Sequence, residues 1–270
     1  MTVAKLDEAT VLVDAGITDL LIGYEIVAEP KLERAMALAA RAALIFAIDS
    51  IDGARALAGA AGRGHAWREE IPRGEVHDGN AHALGGVAGH AGLFGTLAGA
   101  AAAAGLTVRA WIEVESGLRR CGVMPEDAGP LAAAMSSLDG LRMDGVFTHA
   151  GNAYAAPDRP TIERIAVGEA AAVRDAAASI RAHGGEVRVL SVGSTPTAEL
   201  VAREPGITEL RPGNYVFYDA MQVALGTIPA DRPALTVGAT VVSRPTAERA
   251  VIDGTPLASA SCAFLITYGS

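Results

Sequence analysis

Short apolar runs alternate with alanine-rich amphipathic stretches along this chain, and this alternation restricts the possible folds more than any other feature. The runs have the length and composition of buried parallel strands. They are Leu20–Tyr24, Leu44–Ile48, Val108–Val114, Gly145–His149, Val187–Val192 and Tyr215–Tyr218. Between them, Lys31–Ala42 and Thr161–His183 have the pattern of helices. Such alternation predicts an α/β fold with a parallel sheet, either an open doubly wound sheet or a β/α barrel.

A repeated pentapeptide indicates that this pattern is interrupted once. Leu-Ala-Gly-Ala-Ala occurs at Leu57–Ala61 and again at Leu97–Ala101. The second and third candidate strands start much further apart in the sequence than the first and second do. Removing residues 57–96, from one copy of the pentapeptide to the next, makes these two steps equal. We therefore predict one α/β unit interrupted by an insertion at about residues 57–96.

Composition excludes several classes of function. The 270-residue chain has a formal net charge of −9, which argues against a nucleic-acid surface because phosphate neutralisation needs clustered cations. Its two cysteines, Cys121 and Cys262, have no metal-like spacing and suggest a reducing compartment. No secretory signal opens the chain, and the uncharged stretch 79–108 is mostly Gly and Ala, too weakly apolar to span a membrane. We expect a cytoplasmic protein without nucleic-acid or membrane partners.

Polar residues recur at the ends of successive candidate strands. They are Glu25, Asp49, Ser50, Glu113, Glu115, His149, Ser191 and Ser194. Taken singly, each could simply mark where a strand leaves the core. In a β/α barrel, however, the carboxyl ends of the strands form the active site, so their recurrence favours a functional site at that edge.

Four short motifs suggest chemistry for such a site. Val192–Thr197 offers a Gly, three hydroxyls and successive backbone N–H groups, which can cradle a phosphate, particularly if Thr197–Arg203 is a helix. Ile112–Val123 sets carboxylates at a strand end before two arginines, and Thr148–Tyr154 supplies an imidazole and a phenol. Glu209–Asp219 has a Pro-Gly turn leading into an aromatic strand.

In this order, the four motifs resemble the D-threonine aldolase and D-serine dehydratase group of fold-type III pyridoxal-phosphate enzymes, relatives of alanine racemase. Thr2–Ala9 and Leu235–Thr246 resemble the same group, and the resemblance covers about residues 1–60 and 97–253. It implies a TIM-like β/α barrel over residues 1–230 and the start of a truncated β domain over 231–270. It also implies a homodimer that binds pyridoxal 5′-phosphate and acts on a small D-amino acid.

The resemblance also implies roles for particular residues. The phosphate cup and its surroundings would comprise Gly193, Ser194, Thr195 and Thr197, with Tyr215 nearby on the strand after the Pro-Gly turn. Arg120 would lie on the pyridine side of the cofactor, and His149 and Tyr154 would flank the ring or the substrate. The family often has His at the position of Asn152.

Two features of the family are missing from this sequence. Its Schiff-base lysine lies in a strand before the matching segment, so the barrel is expected to lack its first strand. The only lysines are Lys5, at an ordinary position of the following strand, and Lys31, at the start of a helix. The family's divalent-metal site uses a late His two residues before a Cys or Asp, but Ala260 stands at that place before Cys262 here. We therefore expect a lyase by lineage with little or no turnover and no metal ligands. The alternative is a non-catalytic remnant or chimera that holds the cofactor by its phosphate.

The inserted block has a resemblance of its own. Val76–Phe94 is similar to a segment of penicillin-binding-protein-like serine hydrolases of the β-lactamase superfamily. The Ser-x-x-Lys nucleophile motif is absent from the sequence. The spacing of His65, His77, His82 and His90 matches no common metal-ligand pattern. We expect a flexible surface excursion without hydrolase activity.

Overall fold

Seven parallel strands form a single sheet in the computed structural model, which describes residues 1–63, 107–234 and 239–253. The order of the strands across the sheet is their order along the chain. They are β1 (Thr2–Val3), β2 (Asp19–Ile22), β3 (Ala43–Ile48), β4 (Val108–Glu113), β5 (Leu141–Phe147), β6 (Val189–Val192) and β7 (Glu209–Leu210). The sheet curls into a half-barrel with helices around it, as in a TIM-like barrel, so the β/α barrel prediction is confirmed.

Helices follow most of the strands. They are α1 (Leu6–Asp14), α2 (Glu29–Ala39), α3 (Ile51–Arg63), α4 (Ala128–Met135), α5 (Arg159–Ala182), α6 (Ala198–Val201) and α7 (Ala220–Ala224), with 3-10 turns at Pro125–Asp127, Gly151–Ala155 and Asn214–Val216. Helix α5 begins where the Asp158 carboxylate accepts a hydrogen bond from the Thr161 N–H at 2.8 Å, an N-cap. The predicted helices at 31–42 and 161–183 are confirmed, with slightly shifted ends.

The two faces of the sheet bury different sets of side chains, because successive residues of a strand point to opposite sides. The outer set packs against the helices and includes Ile22, Phe46 and Ile112. The inner set contains Leu21, Ile45, Ala47, Trp111 and Phe147. This alternating burial on both faces explains why the strands read as continuous apolar runs.

A cavity of about 480 Å³ lies against the inner face, where Leu21, Ile45, Trp111 and Arg211 line it. Trp111 pairs with Gly145 across β4 and β5, and a Cβ on that glycine would lie 2.6 Å from the indole nitrogen. The close approach of the indole therefore requires glycine at this position.

Two local predictions are wrong. Tyr215–Tyr218 is not a strand: β7 comes before the Pro212–Gly213 turn, and Asn214–Val216 forms a 3-10 turn. Lys5 is not in a strand but is the N-cap residue of α1. The Thr197–Arg203 stretch, considered for a helix, contains the four-residue α6.

A two-stranded antiparallel sheet, β8 (Val241–Thr246) and β9 (Arg249–Ile252), follows the half-barrel in the sequence. The predicted domain boundary near residue 230 remains a prediction. Helix α3 contains the first copy of the repeated pentapeptide. The rest of the predicted insertion, its histidines and Cys262 lie outside the described residues. Within the described residues, no helix is both long and apolar enough to cross a membrane.

Candidate functional site

The polar strand ends predicted to form a site do lie at one edge of the sheet. All seven strands are parallel, so their carboxyl ends meet there. Glu113 ends β4, and His149 comes shortly after the end of β5. Ser191 lies within β6 and Gly193 follows directly after it.

The loop after β6 gathers buried hydroxyl groups. Ser194, Thr195 and Thr197 are each at most 4% exposed. The Ser194 Oγ lies 3.0 Å from the Thr197 Oγ1, which also accepts from the Ser194 N–H at 3.3 Å. The Thr195 Oγ1 is buried and has no hydrogen-bond partner among the described residues. We call these three residues and Gly193 the hydroxyl cup.

Gly193 gives the cup its shape. Its φ of +125° is one that L side chains rarely adopt, and a Cβ there would lie 3.1 Å from the Arg211 backbone nitrogen. Its carbonyl lies 3.2 Å from the His149 Nδ1. A carbonyl only accepts, so Nδ1 carries the proton in this contact.

The surroundings of His149 favour its neutral form. Burial lowers the pKa of His149 below its usual 6.5, and the positive charges of Arg211 and Arg120 lower it further, against the opposing effect of the Gly193 carbonyl. With its proton on Nδ1, the neutral ring keeps a lone pair on Nε2. The ring can therefore accept a proton at that atom.

Arg211 completes this half of the edge, and no sequence motif predicts its role. Its side chain is 9% exposed. It donates from Nε to the Ser191 Oγ at 2.8 Å and from Nη2 to the Thr148 carbonyl, and it lies 5.0 Å from the centre of the Phe147 ring. Burial lowers the pKa of Arg211, while the Glu209 carboxylate raises it. The sequence of motif 209–219 indicates a turn and aromatic residues, and nothing in it distinguishes this arginine.

Glu169 was also missed and lies behind the cup. It is fully buried on α5, and both of its carboxylate oxygens lack hydrogen-bond partners among the described residues. Burial raises the pKa of Glu169 to about 7, although Thr197 and the Gly193 backbone lower it. A glutamate in an amphipathic helix usually indicates a solvated face, so sequence alone gave no signal.

A charged group occupies the other half of the edge, around Arg120. The guanidinium donates to the Glu113 Oε1 at 3.2 Å and to the Tyr24 Oη at 2.9 Å. Its Nε lies 3.3 Å from the Cys121 Sγ. One ligand atom from each of Glu25, Glu113 and Cys121 lies within 4.8 Å of the others. We call these three residues the acidic cluster.

Burial perturbs the acidic cluster. It raises the pKa of Glu25 to about 7, with the charges of Glu113 and Asp49 adding to the effect. It also raises the pKa of the Cys121 thiol to about 11, and both glutamates act in the same direction. The strand-end pattern predicts Glu25 and Glu113, whereas the spacing of the cysteines predicts no metal-binding role for Cys121.

A family model described as "Alanine racemase, N-terminal domain" matches residues 1–220. The chain belongs to this family. The predicted relationship and the barrel architecture are thereby confirmed.

Similar proteins of this family include enzymes with three different names. The D-threo-3-hydroxyaspartate dehydratase of Delftia sp. (strain HT23) is 33% identical over 245 residues, which are 90% of this chain and 54% of that protein. Its solved structure aligns with a TM-score of 0.68 at 32% identity, covering 89% of this chain and 54% of that one. The D-serine dehydratase of Dictyostelium discoideum is 28% identical over 161 residues, 56% of this chain and 41% of that protein.

A further structural neighbour is the D-threonine aldolase from Filomicrobium marinum. It aligns with a TM-score of 0.67 at 26% identity, covering 94% of this chain and 58% of that one. The chain thus spans about half the length of the relatives it matches.

The remaining residues named from the family resemblance are more dispersed. Tyr154 is partly buried in the 3-10 turn that follows His149. Tyr215 is 53% exposed and lines the cavity with Arg211, but it lies in a turn rather than on a strand. Lys5 and Lys31 are both exposed. The structure therefore brings Gly193, Ser194, Thr195 and Thr197 together with His149, and it groups Arg120 with the acidic cluster.

Proposed function

We propose that this chain binds pyridoxal 5′-phosphate with its phosphate group in the hydroxyl cup. The observation that carries the proposal is the buried, unpartnered Thr195 Oγ1 beside the paired hydroxyls of Ser194 and Thr197 within the described part of the chain. Phosphate oxygens accept hydrogen bonds, and these hydroxyls can donate them. Gly193 leaves open the space that a Cβ would fill next to the Arg211 backbone. The residues present therefore suit an anionic phosphate.

The cofactor, when bound, supplies an electron sink for a carbanion next to an amino group. Three side chains would act around it. Neutral His149 can take up a proton at Nε2, since Nδ1 is engaged by the Gly193 carbonyl. Arg211 provides a buried positive charge whose direction is fixed by Ser191. Arg120 is fixed by Glu113 and Tyr24, which supports its proposed position beside the pyridine ring.

The proposed class of activity is lyase chemistry on β-hydroxy D-amino acids, supported by the names of the similar dehydratases and aldolase. A homodimer and a divalent metal belong to the same proposal for the family. For this chain we propose little or no turnover, because covalent catalysis needs an amine at the site. Both lysines are exposed, and neither hydrogen-bonds to a residue of the cup. This favours the second candidate, a protein that holds the cofactor without completing the reaction.

Equilibrium binding of pyridoxine 5′-phosphate and of pyridoxine tests the cup directly, since neither compound has an aldehyde to react with lysines. We expect the phosphorylated compound to bind more tightly. Ser194→Ala should reduce that preference by about tenfold, the usual effect of losing a hydrogen bond to a charged group. Ser136→Ala is the matched control, because its exposed hydroxyl bonds, among the described residues, only to the Ala133 carbonyl. Equal binding of the two compounds would contradict the proposal.

Borohydride reduction with pyridoxal 5′-phosphate, followed by peptide mapping, tests the expected lack of turnover. We expect scattered labelling of Lys5, Lys31 and the terminal amine, and no cofactor-dependent cleavage or dehydration of D-threonine or D-serine. A stoichiometric adduct on one lysine together with turnover would overturn this part of the proposal and leave the phosphate site standing.

A further inference from the structure

The acidic cluster has the dimensions of a small cation site. Its ligand atoms come from three places in the sequence: Glu25 follows β2, Glu113 ends β4, and Cys121 lies in the next turn. They lie within 4.8 Å of one another. Ligands of one tetrahedral zinc ion are separated by about 3.3–3.8 Å, as bonds of about 2.0–2.3 Å require. Rotamer adjustments of about an ångström would bring all three onto one ion.

Buried oxygen atoms in the cluster lack partners, which is a second and independent observation. The Glu113 side chain is 3% exposed. Its Oε1 accepts from Arg120, whereas its Oε2 is buried with no hydrogen-bond partner among the described residues. The Glu25 Oε1 is likewise buried and has no hydrogen-bond partner among the described residues. Buried carboxylate oxygens are costly unless a donor or a cation satisfies them.

Carboxyl groups are concentrated around these oxygens. Glu25, Glu113 and nearby Asp49 bring three of them together, while Arg120 is bonded to Glu113 and Arg211 acts on Glu113 through its charge. Asp49 accepts a long contact of 3.5 Å from the Gly122 N–H. A divalent ion would supply the partners that the buried Glu25 and Glu113 oxygens lack among the described residues.

We propose that Glu25, Glu113 and Cys121 bind a divalent transition-metal ion, for which zinc is the best match. One sulfur and two carboxylate oxygens are a ligand set that zinc accepts, whereas magnesium and calcium prefer oxygen alone. Cys121 loses its thiol proton to solvent as the metal–sulfur bond forms. Arg120 keeps its bond to Glu113 and orients that ligand from the outer shell. The site depends neither on the hydroxyl cup nor on Cys262.

Zinc competition with a chromophoric chelator, and cobalt substitution read by thiolate-to-metal absorption, test this site on the full chain. We expect one equivalent of zinc and a cobalt–thiolate band in the unmodified protein. Cys121→Ser should abolish the band. Glu113→Gln should weaken zinc binding by about a hundredfold, because Glu113 is a direct ligand and the loss of an outer-shell partner alone already costs up to about that much. Cys262→Ser, which removes the other cysteine in the sequence, should change neither reading.

Two results would overturn the proposal. A band lost in Cys262→Ser and retained in Cys121→Ser would move the metal elsewhere. Failure to bind zinc would indicate instead that Glu25 and Glu113 neutralise each other by sharing a proton. Because Cys121→Ser is nearly isosteric, it keeps the test decisive if Glu113→Gln fails to fold, and circular dichroism checks folding in each variant.

Discussion

The sheet edge formed by the carboxyl ends of the strands has two halves, and their buried polar groups are of opposite kinds. The hydroxyl cup after β6 consists of neutral hydroxyls and backbone, whereas the acidic cluster after β2 and β4 consists of carboxylates and a thiol beside an arginine. Each half contains buried oxygens without partners among the described residues. Hydroxyls can donate to an anion, and carboxylates can only accept from a cation or a donor. One edge can therefore present an anion site and a cation site side by side.

The largest expected effect on stability concerns Glu169, the buried carboxyl group behind the hydroxyl cup. Glu169 keeps its proton up to about pH 7 in the folded protein, but loses it near 4.5 when unfolded. Between these values the folded state binds more protons, so the free energy of unfolding should fall as pH rises from about 4.5 to 7, by about 3 kcal/mol. Urea unfolding across this range should show a weaker pH dependence in Glu169→Gln. An unchanged slope would mean that Glu169 is ionised throughout.

The stability of the protein should be sensitive to loss of Glu113, the acidic-cluster residue that forms an ion pair with Arg120. Glu113→Ala leaves Arg120, one-third exposed, without its buried partner. We expect a loss of about 2–3 kcal/mol in unfolding free energy. This is at or below the lower end of the cost of breaking a fully buried ion pair, because Arg120 is partly in contact with solvent. Glu199→Ala is the control, since its pair with Arg203 is 71% exposed on both sides and should matter by less than about 1 kcal/mol. Equal effects would remove the contrast between buried and surface charge.

A substitution that strains the backbone should reduce stability most in the hydroxyl cup. Gly193→Ala must adopt a φ near +125° and bring its Cβ to 3.1 Å from the Arg211 nitrogen, at a cost of about 2 kcal/mol. Gly168→Ala has the opposite expectation: it lies in α5 with open space around it, so alanine should stabilise the helix by up to about 1 kcal/mol. Thermal unfolding of both variants measures the difference. Similar shifts would show that the cup loop tolerates a side chain.

The smallest expected change in stability is at the unpartnered hydroxyl. Thr195→Val removes a buried oxygen that bonds to nothing among the described residues, so stability should stay equal or rise by about 1 kcal/mol. Affinity for pyridoxine 5′-phosphate should fall about tenfold in the same variant. Calorimetry and equilibrium binding together provide the test. A less stable variant with unchanged affinity would mean that the hydroxyl serves the fold rather than a ligand.

Much of the half-barrel could be predicted from sequence because its strands are buried on both faces. Strands β2, β3, β4 and β6 match apolar runs closely, whereas β5 begins four residues before the run predicted at Gly145–His149. Strands β1 and β7 have two residues each, too short for any periodicity. The Tyr215–Tyr218 segment has aromatic residues that favour strands, but in the structure it follows a turn and forms part of a 3-10 turn.

The candidate site was predictable where a local motif carried it. The cup residues lie close together in the sequence, and His149 follows a strand. Glu169 and Cys121 were not predictable, because only tertiary packing buries the first and brings the second to Glu25, which lies far earlier in the chain. Local pattern predicts the residues of the proposed anion site, and long-range packing brings together those of the proposed cation site.

Sequential strand order also has a consequence for how this sheet is assembled during translation. Each strand emerges from the ribosome after the neighbour with which it pairs, so the sheet can grow along one edge as it is made. Paired residues of β3 and β4 are more than twice as far apart along the chain as those of β2 and β3. The longer loop costs only about 0.9 kcal/mol more to close. At about 5–20 residues per second, however, the nascent three-stranded unit waits about 3–12 seconds for its next strand, with the edge of β3 still unpaired.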